Sequence, residues 1–246
     1  MNTTAPAPPA QIPVTCRDCG QTFLTDSLLL GQVEMAHTLN QRCQPCQESH
    51  DKELARQAEE DRRSRISTQI ESFIPPDLLA TDINHPKFEA DLWQAVRRWR
   101  PDDDSFWLGI IGNAGRCKTR CMALLCKNAM WANVQCVWTT ANRLADAVRD
   151  DQRYASRHIS TLAREHLDEC LRAQWLFIDD LGKNEWPKSF EAYFFQLIDH
   201  RKNYRKPIIY SSNQHPEAMG LLISDNYREP IVGRLLERTT ILTLDS

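Results

Sequence analysis

Between residues 106 and 244 the chain alternates short apolar runs with longer stretches of mixed polarity. The runs are Phe106–Ile111, Val134–Trp138, Trp175–Ile178, Ile208–Ser211 and Thr240–Leu244. The first lacks polar alternation, as a strand buried on both faces does, and the others read as buried strands in the same way. The stretches at about 118–132, 141–150, 160–172, 188–203 and 229–237 read as helices. Phe88, Leu92, Val96 and Trp99 recur at helical spacing and predict a further helix that ends before Pro101. Strand and helix in alternation predict a three-layer α/β fold, a parallel sheet with helices on both faces.

Upstream the pattern changes. Residues 48–72 are charged, free of Gly and Pro and poor in apolar positions, which predicts a solvated helical linker. Residues 1–13 are rich in Pro, Ala and Thr and predict a disordered tail. Phe73-Ile74-Pro75-Pro76 marks a boundary, because Pro ends helices and restricts its predecessor. The expected order is tail 1–13, cysteine module 14–47, linker 48–72 and α/β domain 73–246.

Composition narrows the class. The 246 residues suffice for one sizeable core and an appendage. An apolar content of 41% and a charged content of 26% are those of a soluble globular protein. A net charge of −3 excludes a protein that coats nucleic acid by bulk charge, so any DNA contact is local. No run approaches about 18 apolar residues, so no membrane partner is expected. The first residues lack the basic start and apolar core of a secretory signal. Nine cysteines, an odd count, argue against a disulfide scaffold and for a reducing cytoplasm.

The first strand leads into Gly112-Asn113-Ala114-Gly115-Arg116-Cys117-Lys118-Thr119. A phosphate-binding loop requires Gly, four free residues, Gly, Lys, then Ser or Thr. Such a turn feeding a helix aims backbone N–H groups and a positive dipole end at phosphate. The expected ligands are ATP and Mg²⁺, with Lys118 reaching the β- and γ-phosphates and Thr119 placing its hydroxyl on the metal. Cys117 stands where the last Gly belongs. Its Cβ and sulfur could weaken phosphate binding or slow hydrolysis, because Gly there permits close approach. Roughly sixty residues downstream, Trp175-Leu176-Phe177-Ile178 ends in Asp179-Asp180. A strand end beside the phosphate loop is where a Mg²⁺-holding carboxylate is needed. Asp179 is expected in the metal shell, through water, and Asp180 is expected to orient the attacking water.

These pieces resemble the DnaC/DnaI-like helicase loaders and the IstB-like transposition ATPases, a branch of the AAA+ ATPases. The matching residues are Ile74-Pro75-Pro76, the loop at 112–119, Ile178-Asp179-Asp180-Leu181-Gly182, Pro207 through Asn213 and Gly233-Arg234-Leu235-Leu236-Glu237-Arg238. The resemblance covers about 73–246 and implies an ATP-hydrolysing replication accessory protein without the helical lid of many AAA+ proteins. It implies that Asn213 senses the γ-phosphate and that Arg234 is an arginine finger acting on the next subunit, with Arg238 the alternative. A homo-oligomer on ATP binding follows from a finger acting between subunits. The implied partners are single-stranded DNA and a replicative helicase, or a transposase in the IstB-like case. A third reading, favoured by Cys117, is a nucleotide-gated binding module that hydrolyses little. Arg143, Arg149, Arg153 and Arg157, with Tyr154 for stacking, are the basic residues nearest a DNA-contact pattern. Each reads more readily as an ordinary surface residue, and no DNA site is assigned.

Cys16-Arg17-Asp18-Cys19 and Cys43-Gln44-Pro45-Cys46 are two Cys-x-x-Cys turns flanking residues 20–42. Four thiolates from two tight turns suit tetrahedral Zn²⁺, and a closed Cys₄ site is structural rather than catalytic. His37 reads as a surface residue rather than a ligand. A small zinc module ahead of an ATPase suggests a partner-docking element, as in DnaI-like loaders, whose zinc-containing N-terminal domain binds the helicase; contact with DNA is the alternative.

Overall fold

A computed structural model describes residues 11–30, 33–36, 41–84, 88–101, 104–153 and 157–244. The chain divides into two units, residues 1–65 and 66–246.

In the first unit β1 (Gln11–Thr15), β2 (Thr22–Leu30) and β3 (Val33–Ala36) form an antiparallel sheet in that order. Residues 11–13, expected within a disordered tail, instead belong to β1, where Gln11 pairs with Asp26 and Pro13 with Leu24. Pro13 is tolerated because β1 is an edge strand, whose outer groups need no partner strand. Residues 1–10 of the expected tail lie outside the described residues. Thr15 pairs with Thr22, closing β1 and β2 over the turn that carries Cys16 and Cys19. Helix α1 (Gln44–Phe73) follows. Its exposed surface carries same-helix pairs, Arg56 with Glu53 at 2.7 Å and Glu60 at 2.6 Å, and Arg63 with Glu59 at 2.9 Å. Such pairs support a helix that has few apolar contacts by a few tenths of a kcal/mol each.

The second unit begins within α1. Ile66 and Ile70 are buried, as are Ile74 and Leu78 beyond the helix end. This four-residue spacing packs the end of α1 and the short α2 (Pro76–Leu79) into one core with Trp93, Met122 and Phe177. The expected linker at 48–72 is therefore solvated over its first part and a core element at its end. The unit continues as α3 (Ala90–Arg98), β4 (Trp107–Gly112), α4 (Lys118–Trp131), β5 (Cys136–Thr140), α5 (Ala141–Arg153), α6 (Arg157–Arg172), β6 (Trp175–Asp179), α7 (Lys188–Asn203), β7 (Ile208–Ser212), α8 (Pro216–Met219), α9 (Asp225–Arg238) and β8 (Thr239–Leu244).

The five strands form one parallel sheet in the order β5-β6-β7-β4-β8. Side chains alternate between two cores: Leu176 and Ile178 join the one beneath α5 to α9, Phe177 the one beneath α1 to α4. Strand β5 starts two residues later than the apolar run suggests. Asn133 takes a left-handed conformation (φ 65°) and Val134 donates its N–H to Ala129 O, so Val134 closes α4 instead of opening the strand. Helix α9 starts at Asp225, four residues before the expected helix at 229–237, and carries Pro230 inside it. The buried Glu191 accepts the backbone N–H of Ser224 at 2.7 Å and its hydroxyl at 2.5 Å, fixing the chain where α9 begins. Arg201 is fully buried and donates to four carbonyls, those of Cys170, Ala173, Gln174 and Pro207, at 2.6–3.1 Å. It thereby closes the end of α6 onto the start of β7. Because all strands are parallel, the ends of β4, β6 and β7 meet at one edge, where ligand loops of open α/β sheets collect.

Candidate functional site

Gly112 ends β4, and the loop after it turns directly into α4. Gly115 has φ 82°, and a Cβ built there would meet no atom within 4 Å, so the loop is open where a phosphate would approach. Cys117 holds the position expected of a glycine with a glycine's backbone, φ 56° and ψ 14°. For an L-residue this left-handed conformation costs about 1–2 kcal/mol. Cys117 is buried. Arg116 pairs with Glu89 at 3.0 Å.

Lys118 converges on the loop from its first helical position. Its Nζ donates to Gly112 O at 2.7 Å, Asn113 O at 2.8 Å and Asn213 Oδ1 at 2.9 Å. Burial lowers the pKa of its ammonium, and the charges of Asp180 and Asp179 oppose that shift. Thr119 Oγ1 donates to Asp179 Oδ1 at 2.9 Å, bringing the end of β6 onto the loop. Burial raises the Asp179 carboxyl above its ordinary range, and hydrogen bonds from Ser211 and Thr119 counter the rise. Asp180 follows at φ 57° and accepts from Lys183 Nζ at 3.0 Å. Gly182 closes this turn at φ 77°, where a Cβ would come within 2.6 Å of Met219 Cγ.

Lys118, Thr119, Asp179, Asp180 and Asn213 thus gather at one sheet edge. A cleft of about 400 Å³ opens there, lined by Lys118, Thr119, Asp180 and Asn213 together with Asp77 and Leu78 of α2. Lys127 holds that segment in place, donating to Leu78 O at 3.0 Å and to Leu79 O. The oxygens of Thr119 and Asp179 form a hard donor pair beside a phosphate loop, which fits Mg²⁺. A larger cavity, about 610 Å³, lies beside β5 between α4 and α6 and contains none of these groups. Chemistry, rather than volume, identifies the cleft at the phosphate loop.

Arg234 is not in this cluster. It lies on α9 and is bound within its own chain to Asp199 on α7. Arg238 is paired with Glu237 at 2.5 Å. Arg149 pairs with Asp146 at 2.8 Å. Tyr154 and His37 lie outside the described residues, as do the side chains of Arg153 and Arg157. Two residues of the site had no role assigned from sequence, Ser211 and Lys183. The first was hidden inside an apolar strand. The second had a visible signal, a cation three positions after Asp180 in a tight turn.

In the first unit the four sulfurs of Cys16, Cys19, Cys43 and Cys46 lie within 4.8 Å of one another. Cys19 Sγ and Cys43 Sγ are 3.6 Å apart. A zinc–sulfur bond of about 2.3 Å places tetrahedral sulfurs about 3.8 Å apart, so the cluster could hold a zinc ion. Cys43 N–H donates to Cys16 Sγ at 3.3 Å, and this bond heads the effects that pull the Cys16 thiol down to about 6. In the second unit burial pushes Cys121 and Cys170 up to about 12.

No family model and no curated protein matches the chain. Solved structures do. AMPPCP-bound DnaA from Aquifex aeolicus is 16% identical with a TM-score of 0.53, covering 70% of this chain and 51% of that one. DnaI is 18% identical with a TM-score of 0.53 over 71% of this chain and 93% of that one. The DnaC helicase loader is 17% identical with a TM-score of 0.51 over 70% of this chain and 100% of that one. The chain spans about half the length of the AMPPCP-bound DnaA structures it matches. The fold is the AAA+ P-loop fold of these proteins, preceded by a four-cysteine cluster. Among the described residues no helix is long and apolar enough to cross a membrane.

Proposed function

We propose that the chain is an Mg²⁺-dependent ATPase of DNA replication that loads a replicative helicase, with Cys16, Cys19, Cys43 and Cys46 holding a structural Zn²⁺ in a helicase-docking module. The carrying observation is the convergence of Lys118, Thr119, Asp179 and Asn213 on one glycine-rich loop at a helix start. DnaC, DnaI and DnaA bound to single-stranded DNA share the fold and supply the replication context, single-stranded DNA included.

In this reading the N–H groups at the start of α4 and the Lys118 ammonium bind the β- and γ-phosphates. Mg²⁺, when bound, would neutralise charge between those phosphates, held by Thr119 and, through water, by Asp179. Asp180 orients the attacking water, and Asn213 contacts the γ-phosphate once Lys118 turns from Asn213 Oδ1 to the nucleotide. Arg234 serves the nucleotide of a neighbouring subunit, which makes the working form a homo-oligomer.

Cys117 favours a second reading, a nucleotide-gated binder with little turnover, because a residue with a Cβ stands in a left-handed conformation where the loop pattern has Gly. ATP turnover by the wild type, Lys118→Ala and Cys117→Gly decides between them. Turnover abolished by Lys118→Ala supports the ATPase. Binding without turnover, with activity appearing in Cys117→Gly, supports the gated binder. Absence of nucleotide binding sinks both.

A further inference from the structure

We infer that Ser211 is the positioning residue that aims both carboxylates of the Asp179-Asp180 pair. The inference rests on the Mg²⁺–ATP reading of the site and gives a role to a residue outside it.

Ser211 lies near the end of β7 with 1% of its surface exposed. Its Oγ donates to Asp179 Oδ1, the oxygen that also accepts from Thr119 Oγ1. The same Oγ accepts the backbone N–H of Asp180 at 3.0 Å. Its carbonyl accepts the backbone N–H of Leu181 at 2.9 Å. Three successive residues at the end of β6 are therefore tied to one serine, by a side chain, then a backbone N–H, then another.

Each tie has a separate consequence. Two hydroxyls donating to one oxygen fix the rotamer of the Asp179 carboxylate and offset its desolvation. The two backbone bonds hold Asp180 at φ 57°, a conformation that an L-residue leaves unless its surroundings enforce it. That turn determines where the Asp180 side chain projects from the strand end. Ser211 also stands two residues before Asn213, so one strand end sets the metal carboxylate, the water-orienting carboxylate and the polar side chain that contacts Lys118.

A serine that served only the core would alter stability without altering how nucleotide binding responds to the metal. The test therefore reads metal dependence. Binding of a fluorescent ATP analogue to the full chain is titrated across Mg²⁺ concentration and again in EDTA, for wild type, Ser211→Ala, Ser211→Cys and Ser211→Thr, with a thermal melt of each. Ser211→Ala is expected to raise the half-saturating Mg²⁺ concentration about tenfold, while affinity in EDTA stays within about twofold. Ser211→Thr, which keeps the hydroxyl, restores the wild-type metal response. Ser211→Cys fills the same volume with a weak donor, and it is expected to shift like alanine. A folded Ser211→Ala or Ser211→Cys with wild-type Mg²⁺ dependence overturns the inference while leaving the ATP reading intact. A folded Ser211→Thr as impaired as alanine overturns it too. A wild type that binds no nucleotide in either condition overturns the ATP reading, and the inference falls with it.

Discussion

Arg234 donates to Asp199 Oδ1 through both Nε and Nη2, at 3.1 and 2.8 Å, and its guanidinium lies 4.5 Å from the centre of the Phe195 ring. A third bond runs from Nη1 to Pro230 O at 3.0 Å. A guanidinium held this way is pre-formed but occupied. To serve a neighbouring nucleotide it must exchange Asp199 for phosphate, a trade between two anions.

This predicts a complementation. Lys118→Ala lacks a working phosphate loop but keeps Arg234, and Arg234→Ala keeps the loop but lacks the finger. Each alone is expected to hydrolyse ATP at least about a hundredfold more slowly than wild type. Mixed together, they form interfaces that combine the intact loop with the intact guanidinium, and turnover reappears. A mixture as inactive as its components would exclude action between subunits.

Metal removal should act on the first unit. The protein as purified is expected to carry one zinc per chain, measured by atomic emission. Chelation, or Cys43→Ser, should unfold the four-cysteine unit, because metal-binding free energy in such modules is largely folding free energy. Nucleotide affinity of the second unit should persist in the same sample. A far-ultraviolet spectrum and melt unchanged by chelation would show that the cluster folds without metal.

The site was legible in the sequence to the extent that its chemistry is local. A phosphate loop is contiguous, and a strand ending in Asp-Asp is contiguous, so both could be read residue by residue. The two Cys-x-x-Cys turns were legible through their spacing, although the start of β1 at residues 11–13 was hidden by a Pro-rich composition typical of disorder. Ile66, Ile70, Ile74 and Leu78 stood at helical spacing, yet the first two sat among charges that dominated the reading of the linker. Ser211 was not legible. A serine within Ile-Ile-Tyr-Ser-Ser reads as strand filler until β6 is known to pair with β7 and bring Asp179 beside it. The Arg234–Asp199 pair was hidden for the same reason, since its partners belong to different helices.

His166 predicts a pH dependence. Its Nε2 lies 3.1 Å from Thr139 Oγ1, and burial, with Arg143 adding to it, lowers its pKa from 6.5 to about 4. The folded state thus keeps the ring neutral where the unfolded chain takes up a proton. The unfolded state binds more protons between those values, so stability falls as pH drops from about 6.5 toward about 4. With its partial exposure discounted, the contribution is on the order of 1 kcal/mol. Urea denaturation at pH 7 and pH 5 should show the loss, and His166→Gln should reduce it. An equal loss in that variant would assign the pH dependence to other groups.

Arg201 predicts a stability loss that charge conservation does not prevent. Lysine cannot span four carbonyls on two sides of a planar fork, so Arg201→Lys strands buried acceptors. The expected cost is about 3 kcal/mol, read from the urea midpoint at constant slope. A loss under about 1 kcal/mol would show that the carbonyls find other donors.

Strand β4, which leads into the phosphate loop, has β7 and β8 as its two neighbours. Leu108 pairs with Ile209 on one side and Thr240 on the other. A polypeptide is made from its N-terminus, and pairing between distant segments waits for the later one to emerge. On the ribosome β4 therefore stays unpaired on both sides until most of the second unit has been synthesised. On the proposed reading a nucleotide could not assist early folding, since the loop after β4 acquires a scaffold among the last events, and Trp107 through Ile111 must be kept from self-association until then.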